Sequence, residues 1–197
     1  LLYGIPSAAY QTADALLQDV RAAVAGGVTC IQIRFKHVPT QELVALAAPT
    51  VQFCKQQHIP CIINDDAEAA ALLQADGVHV GQSDCSIQQA RAILGKSACI
   101  GVSAHNLEEA RMAQQGGADY IGCGAVFGSA TKQDATPLSR ETLRTICQGV
   151  SIPVVAIGGI TAQNVQQLAG SGIQGIAVVS AIFGQPDKTE AARQMHQ

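Results

Sequence analysis

Short apolar runs rich in β-branched residues alternate with longer stretches of helical periodicity from one end of the chain to the other. Short runs of this kind are typical of buried strands, and the longer stretches are typical of amphipathic helices that cover them. The predicted strands are residues 2–5, 30–33, 61–63, 77–80, 98–102, 120–123, 154–157 and 175–179. The predicted helices are residues 13–25, 40–57, 67–73, 87–94, 107–115, 139–147 and 161–169, with a last one from about Ser180.

Eight strand–helix pairs with no linker between them predict one domain over residues 1–197, a single (β/α)8 TIM barrel of the α/β class. A weak internal repeat supports this fold, because four turn segments recur about every two pairs and each leads from a helix into a strand. These segments are residues 26–29, 74–77, 116–119 and 171–174. In such barrels this rim stabilises the fold and the opposite rim carries the chemistry. We therefore expect the functional residues in the loops that follow the strands.

The composition excludes several classes of function. Of the 197 residues, 48% are hydrophobic, which suffices for a large core and excludes a disordered chain. The net charge of −3 and the lack of a Lys/Arg run predict no nucleic-acid partner. No apolar stretch approaches the roughly 20 residues that span a bilayer, so we expect no membrane partner and a soluble, cytoplasmic protein. The seven cysteines show no CxxC spacing and indicate buried thiols rather than disulfides or a zinc site.

The second predicted strand leads into Gln32-Ile33-Arg34-Phe35-Lys36. Alternation along a strand sends Gln32, Arg34 and Lys36 toward the barrel axis and the two apolar residues toward the helices. Partly buried cations are costly unless an anion neutralises them, so the segment predicts a phosphate site at the barrel mouth. The alternative is that Arg34 and Lys36 form ion pairs with carboxylates of the barrel.

Acidic residues follow the third and fourth predicted strands. They lie in Asn64-Asp65-Asp66 and in Gly81-Gln82-Ser83-Asp84. Because adjacent strands lie about 4.8 Å apart, carboxylates just beyond their ends can converge. Two carboxylates beside a phosphate site are a usual arrangement for Mg²⁺, and salt bridges to the neighbouring cations are the alternative. Asp66 begins a predicted helix and is interpreted as its N-cap.

The later loops carry further candidates for anion binding. Ser103 either donates a hydrogen bond to an anion or caps the helix that begins near Leu107. The loop after the sixth strand, residues 124–134, is long enough for a lid, and its Lys132 either closes over phosphate or is solvated. Gly158-Gly159 before a helix and a second helix start at Ser180 would aim backbone N–H groups and two positive dipole ends at one anion. This is the phosphate site that TIM barrels form after strands seven and eight.

The order of these segments resembles a known family. Eight motifs occur in unbroken order along nearly the whole chain: Gln-x-Arg-x-Lys, Asn-Asp-Asp, Gly-Val-His-Val-Gly-Gln-x-Asp, Gly-Val-Ser-x-His, Ala-Asp-Tyr-Ile-Gly-x-Gly, Thr-Lys, Ala-Ile-Gly-Gly-Ile and Val-Val-Ser-Ala-Ile. Together they resemble the thiamine phosphate synthase family. The resemblance implies a transferase that joins hydroxymethylpyrimidine diphosphate to hydroxyethylthiazole phosphate with release of pyrophosphate.

The resemblance also implies roles for individual residues. The pyrimidine diphosphate would be bound by Gln32, Arg34, Lys36, Asn64, Ser103 and Lys132, with His79 near the pyrimidine. The thiazole phosphate would be bound by Ser129, Thr131, Gly159, Val179 and Ser180, and Mg²⁺ by Asp65 and Asp84. A lone histidine on a strand is otherwise interpreted as a core residue.

The implied mechanism is dissociative, so that a pyrimidine-methyl cation forms and the thiazole nitrogen captures it. No protein nucleophile is needed, and catalysis comes from stabilising the departing diphosphate. The residues expected to do this are Arg34, Lys36, Ser103 and Lys132.

Three segments depart from the family pattern. Phe35 stands where an acidic residue is usual, and we expect tolerance because its side chain points away from the axis. The first strand leads into Ile5-Pro6-Ser7 rather than a Thr-Asp-like pair, and Ala125 and Gly128-Ser129 replace a Pro and a Thr in the strand-six loop.

Two alternatives to the synthase make different demands on the sequence. A related thiazole tautomerase would carry a histidine where Ala125 stands and would not need Asp65 and Asp84. A non-catalytic phosphate-binding barrel would have lost a metal carboxylate or Lys132, and all three are present. A homo-oligomer is expected from the family resemblance alone.

Overall fold

The computed structural model describes residues 1–6, 10–128 and 137–195. In these residues eight parallel strands pair in chain order, and β8 pairs with β1 to close a barrel. The strands are β1 (Leu2–Gly4), β2 (Cys30–Ile33), β3 (Cys61–Asn64), β4 (Gly77–Val80), β5 (Cys99–Ala104), β6 (Tyr120–Cys123), β7 (Val154–Ile157) and β8 (Gly175–Val178). The helices are α1 (Ala13–Ala25), α2 (Thr40–Gln56), α3 (Ala67–Leu73), α4 (Ile87–Leu94), α5 (Leu107–Gln115), α6 (Arg140–Gly149), α7 (Ser180–Phe183) and α8 (Lys188–Gln194). The predicted (β/α)8 barrel is confirmed.

Alternation along each strand separates two hydrophobic layers. Ile31 and Ile33 of β2 face outward and are fully buried beneath the helices, in the large core that surrounds the barrel. A smaller cluster fills the barrel interior, made by Tyr3, Ile5, Cys30, Ile62, Val155 and Ala177. This inner cluster forms a packed floor, so that polar side chains further along the same strands face a space above it.

Side chains cap most of the helices at their first turn. Asp66 accepts a hydrogen bond from the Ala69 amide at 2.8 Å, which confirms its predicted role as an N-cap. Ser86 and Gln89 form a reciprocal capping box at the start of α4. These caps satisfy backbone donors that the helix itself leaves unpaired.

The predicted repeat has a structural cause at the amino-terminal rim. Thr29, Asp76, Asp119 and Gln174 each directly precede an even-numbered strand, and each accepts a hydrogen bond from the first or second amide of the odd-numbered strand before it. The donors are Leu2, Cys61, Ile100 and Val154, at 3.0, 2.8, 2.7 and 2.7 Å. One polar side chain before each even-numbered strand therefore binds the start of the odd-numbered strand that precedes it. This explains why the repeat recurs every two strand–helix units.

Besides shifts of one or two residues at the ends of several elements, two predicted helices differ from the structure. Instead of helix 161–169 there is a short 3-10 turn, Val165–Leu168, because the Asn164 amide bonds to the backbone of Thr161 and Gly159 and competes with helical hydrogen bonding. The last predicted helix is two helices, α7 and α8, divided at Gly184 and Pro186.

Strand β5 extends to Ala104 rather than ending at residue 102. Ser103 pairs with Gly122 of β6, so it belongs to the sheet. The alternative that Ser103 caps α5 is wrong, since Asn106 is the capping residue.

The described cysteines are all free thiols; Cys30, Cys54, Cys61 and Cys123 are buried, as predicted, whereas Cys85, Cys99 and Cys147 are only partly buried. Of the helices in the described ranges, none is long and apolar enough to cross a membrane.

The rim hydrogen bonds generate a prediction about stability. Asp76→Ala removes the acceptor for the Cys61 amide and leaves a part-buried donor unpaired, so the free energy of unfolding should fall by about 1–3 kcal/mol. Asp76→Asn keeps a side-chain oxygen at this position and should retain most of that free energy. Urea unfolding of both variants measures this, and equal losses would contradict the assigned role of the oxygen.

Candidate active site

A cavity of about 450 Å³ opens where the strands end and their following loops begin. Every predicted site residue that the structure describes lines this cavity. They are Gln32, Arg34, Lys36, Asn64, Asp65, His79, Asp84, Ser103, Gly159, Val179 and Ser180. The predicted residues Ser129, Thr131 and Lys132, and Ser7 of the first loop, lie outside the described residues.

The cations of the second strand lie at one edge of the cavity. Lys36 forms an ion pair with Asp65, which is the alternative considered for this side chain. Arg34 lines the cavity and forms no ion pair with a described residue. Phe35 points away and packs against Tyr10, with ring centroids 5.9 Å apart, as expected for a position outside the barrel axis. One cation is therefore balanced by a carboxylate, and Arg34 presents its charge to the cavity.

Asp65 and Asp84 meet at the same edge. Asp65 has a positive φ of 64°, a conformation that Asp adopts more readily than most residues, and its amide donates to the His79 carbonyl at 2.8 Å. Asp84 accepts a hydrogen bond from the Gly81 amide at 2.7 Å. Two adjacent strand ends thus bring together two carboxyls from distant parts of the sequence.

The two carboxyls shift each other's pKa in opposite directions. Burial raises the pKa of Asp65, the hydrogen bond to Asp84 raises it further, and Lys36 opposes both. For Asp84, burial raises the pKa, but hydrogen bonds from Asp65 and the Gly81 amide outweigh burial and lower it. Asp65 is therefore the harder of the two carboxyls to ionise, and Lys36 is the neighbour that favours its charged form.

The chemistry of this donor set fits a hard divalent cation. Carboxylate oxygens are the protein ligands that Mg²⁺ prefers, and Mg²⁺ usually keeps several waters and shares substrate phosphate oxygens. Among residues 1–6, 10–128 and 137–195, no group of three or more His, Cys, Asp or Glu side chains is arranged to hold a metal. Two carboxylates suit an ion completed by water and phosphate rather than a closed protein cage.

Hydrogen-bonded polar groups lie above the apolar floor. Gln32 donates to the Tyr3 hydroxyl at 3.0 Å, and the Tyr3 and Tyr120 hydroxyls lie 2.9 Å apart. His79 Nδ1 lies 2.9 Å from the Tyr120 hydroxyl, and its Nε2 lies 3.0 Å from Ser103 Oγ. These five side chains cross the barrel from β2 to β5.

Sequence reasoning missed Tyr3 and Tyr120, to which it assigned no role. The signal that could have found them is their place within otherwise apolar strands, because a buried tyrosine hydroxyl needs a hydrogen-bond partner. His105 also received no role. It lines the cavity, and its Nδ1 lies 2.9 Å from Oε2 of Glu109, four residues further along the chain.

Two glycines make room for the aromatic groups. A Cβ at Gly101 would lie 2.1 Å from Cζ of Tyr120, and a Cβ at Gly122 would lie 3.1 Å from Cε1 of His79. Gly101 stands between His79 and Tyr120 in the strand register, where a side chain would separate their rings. The absence of a side chain at these positions allows the imidazole and the phenol to meet.

The phosphate site predicted after strands seven and eight is only partly present in the structure. Gly159 and Ser180 line the cavity as predicted. The helix that would start after Gly158-Gly159 is absent, so only one of the two predicted helix dipoles is present. Gly159, at φ 63°, is held close to the carbonyls of Phe127 and Gly128, which explains why no larger residue fits there.

Comparison with known proteins identifies the family to which the chain belongs. A family model described as thiamine monophosphate synthase matches residues 2–182. The chain belongs to the thiamine monophosphate synthase family. Membership places it among the transferases of thiamine biosynthesis, as predicted, and supports thiamine phosphate synthesis as its activity.

Individual members of the family resemble the chain over most of its length. The thiamine-phosphate synthase of Chloroflexus aurantiacus is 45% identical over 177 residues, which are 89% of this chain and 82% of that protein. That of Ruminiclostridium cellulolyticum is 44% identical over 194 residues, 98% of this chain and 92% of that protein. The solved structure of thiamine phosphate pyrophosphorylase from Pyrococcus furiosus superimposes with a TM-score of 0.89 at 36% identity, covering 99% of this chain and 93% of that one.

The environment of His79 generates a prediction about pH. Burial lowers the pKa of His79 from 6.5 to about 4. Between these values the unfolded chain binds a proton that the folded chain does not. The stability present above pH 6.5 is therefore lost as the pH falls toward 4, by roughly 3 kcal/mol in total.

Urea unfolding between pH 7 and pH 4 measures this dependence. In His79→Gln the free energy of unfolding should fall less steeply over this range, whatever its value at pH 7. Identical slopes for the two proteins would contradict the assigned burial of a neutral imidazole.

Proposed function

We propose that the chain joins hydroxymethylpyrimidine diphosphate to hydroxyethylthiazole phosphate, forming thiamine phosphate and pyrophosphate. The observation that carries the proposal is the edge of the cavity where Arg34 and Lys36 meet Asp65 and Asp84. A diphosphate needs cationic groups, and a diphosphate bound with a divalent ion also needs carboxylates. Both kinds of group occur here, in a chain of the thiamine monophosphate synthase family.

Asp65 and Asp84 would hold Mg²⁺, whose contribution when bound is to neutralise charge on the diphosphate oxygens. Arg34 and Lys36 would bind the same oxygens, and Lys36 can do so while it contacts Asp65. Lys132 is assigned to the diphosphate by family resemblance.

The reaction that fits these groups needs no protein nucleophile. The C–O bond between the pyrimidine methylene and the diphosphate breaks, the electron pair leaves with pyrophosphate, and the thiazole nitrogen bonds to the resulting carbon cation. The side chains stabilise charge as it builds on the leaving group, with Ser103 donating a hydrogen bond. Asn64, His79 and Gln32 would orient the pyrimidine end, and Gly159, Val179 and Ser180, with Ser129 and Thr131, would bind the thiazole phosphate.

Neither alternative has an observation in its favour. Ala125 is buried and contributes only a methyl group to the cavity, where a tautomerase was expected to carry a histidine. A barrel that had lost catalysis would be expected to lack one of the carboxylates, and Asp65 and Asp84 are both at the cavity.

The direct test uses the purified chain with Mg²⁺ and the two substrates. Formation of thiamine phosphate together with an equal amount of pyrophosphate is expected. Binding of both substrates without either product would contradict the proposal and favour the non-catalytic barrel.

Removing a metal carboxylate should separate catalysis from binding of the second substrate. Asp65→Ala should lower the rate of pyrophosphate release by about 10²-fold or more, because charge on the leaving group is no longer neutralised. Lys132→Ala should have a similar effect. Calorimetric titration with the thiazole phosphate should give nearly unchanged affinity for both variants.

A neighbouring substitution provides the control. Asp66→Asn changes the adjacent carboxylate, which caps α3 and does not line the cavity, and Asn is an equally good capping residue. It should keep both activity and binding. Equal loss of release and binding in Asp65→Ala would indicate a general structural defect and would contradict the assigned role.

A further inference from the structure

The hydrogen bonds between the polar side chains above the apolar floor form an unbranched series. They run from Gln32 through the hydroxyls of Tyr3 and Tyr120 to the imidazole of His79, and end at Ser103. Gln32 and Tyr3 are buried, with 3% and 2% of their surface exposed, and His79 is 8% exposed. Solvent is therefore a poor substitute for the partners of these three side chains.

The number of protons in the series is limited. Each hydroxyl carries one proton, and an uncharged imidazole carries one on a single nitrogen. Burial raises the pKa of both phenols, which keeps their protons in place, and the buried imidazole is bonded to two hydroxyls and to no carboxylate, so its ring is neutral. Each hydroxyl therefore donates one hydrogen bond, and the imidazole donates one.

Two directions keep the Tyr120 proton within the series. In the first, Tyr3 donates to Tyr120, Tyr120 donates to His79 Nδ1, and His79 Nε2–H donates to Ser103 Oγ. In the second, these three bonds are reversed while Gln32 still donates to Tyr3, so that the Tyr3 hydroxyl accepts from both Gln32 and Tyr120. Its own proton is then left to a weaker acceptor, such as the sulfur of Cys30.

The first direction gives both phenols and both imidazole nitrogens strong partners, because Gln32 donates into the series at Tyr3. It also has a consequence at the far end. Ser103 Oγ accepts from the imidazole, so its own proton is left to donate to something else. Ser103 lines the cavity, where an anion is the natural acceptor.

We propose that Tyr120 is a positioning residue, which holds His79 as the Nε2–H tautomer and thereby directs the Ser103 hydroxyl proton into the cavity. The role of that proton in turnover depends on the proposed function, since the leaving diphosphate is its acceptor. The tautomer itself does not depend on the reaction. Gly101 and Gly122 support the arrangement, because side chains there would displace the phenol and the imidazole.

Nitrogen-15 NMR of the histidine-labelled chain tests the tautomer directly, with His79 assigned by the signals that disappear in His79→Gln. The expected spectrum shows a protonated Nε2 and a bare, hydrogen-bonded Nδ1. In Tyr3→Phe the proton should stay on Nε2, because Tyr120 keeps its own proton to donate. In Tyr120→Phe the Nδ1 signal should shift and both tautomers should appear. A proton on Nδ1 in the unsubstituted chain, or a His79 spectrum unchanged by Tyr120→Phe, would overturn the proposal.

Kinetics tests whether Tyr120 acts through Ser103. Tyr120→Phe should lower kcat about tenfold, the value of one ordinary hydrogen bond, with the KM for thiazole phosphate unchanged. Ser103→Ala should cost about 10²-fold or more, and adding Tyr120→Phe to it should cost nothing further. Tyr10→Phe, the same change outside the cavity, serves as the control with unaltered kcat.

The two experiments separate the inference from the proposed function. If Tyr120→Phe lowers kcat tenfold both in the unsubstituted chain and in the Ser103→Ala variant, the two residues act independently and the positioning role is overturned. If the unsubstituted chain makes no thiamine phosphate, the proposed function fails, and the His79 spectra still decide the tautomer.

Discussion

A polar group inside a closed barrel must find its partner inside the barrel. The strands of this chain point Tyr3, Gln32, His79, Ser103 and Tyr120 toward the axis, where an unpaired hydroxyl or amide costs free energy comparable to a lost hydrogen bond. The series of hydrogen bonds meets this requirement and ends at the cavity. Because its members come from five different strands, the arrangement exists only when the barrel is closed and in register, and the geometry of the site depends on the fold as a whole.

Polar and acidic side chains at the two rims of the barrel have different roles. At the amino-terminal rim, Thr29, Asp76 and Asp119 accept hydrogen bonds from strand amides, so their oxygens are committed to the fold. At the opposite rim, Asp65 is paired with Lys36, Asp84 accepts a hydrogen bond from the Gly81 amide, and both carboxyls line the cavity. Carboxylates at the two rims therefore differ in what they can do, since only those at the cavity can contact a cation together with a ligand.

Much of this organisation could be predicted because it depends on local pattern. Strand and helix periods placed Arg34, Asp65 and Asp84 just beyond neighbouring strands, and parallel strands in a barrel bring such residues together. The tyrosines were missed because their partners are set by register between distant strands, which Gly101 and Gly122 make possible and which no local pattern contains. The helix after β7 was predicted wrongly for a similar reason. The Asn164 side chain bonds to the Gly159 carbonyl, an interaction that depends on the folded loop.

The floor and the edge of the cavity also differ in charge. This difference limits where the neutral end and the charged end of a ligand can lie. The floor holds neutral groups, because burial keeps His79 uncharged and both phenols protonated. All formal charge in the described lining is at the edge, on Arg34, Lys36 and the two carboxyls, with His105 beside Glu109 nearby. An uncharged ring bound on the floor loses little hydration, whereas a diphosphate there would be desolvated without a countercharge. A ligand with a neutral ring and a charged tail therefore has one favourable orientation, with the ring against the floor and the tail at the edge.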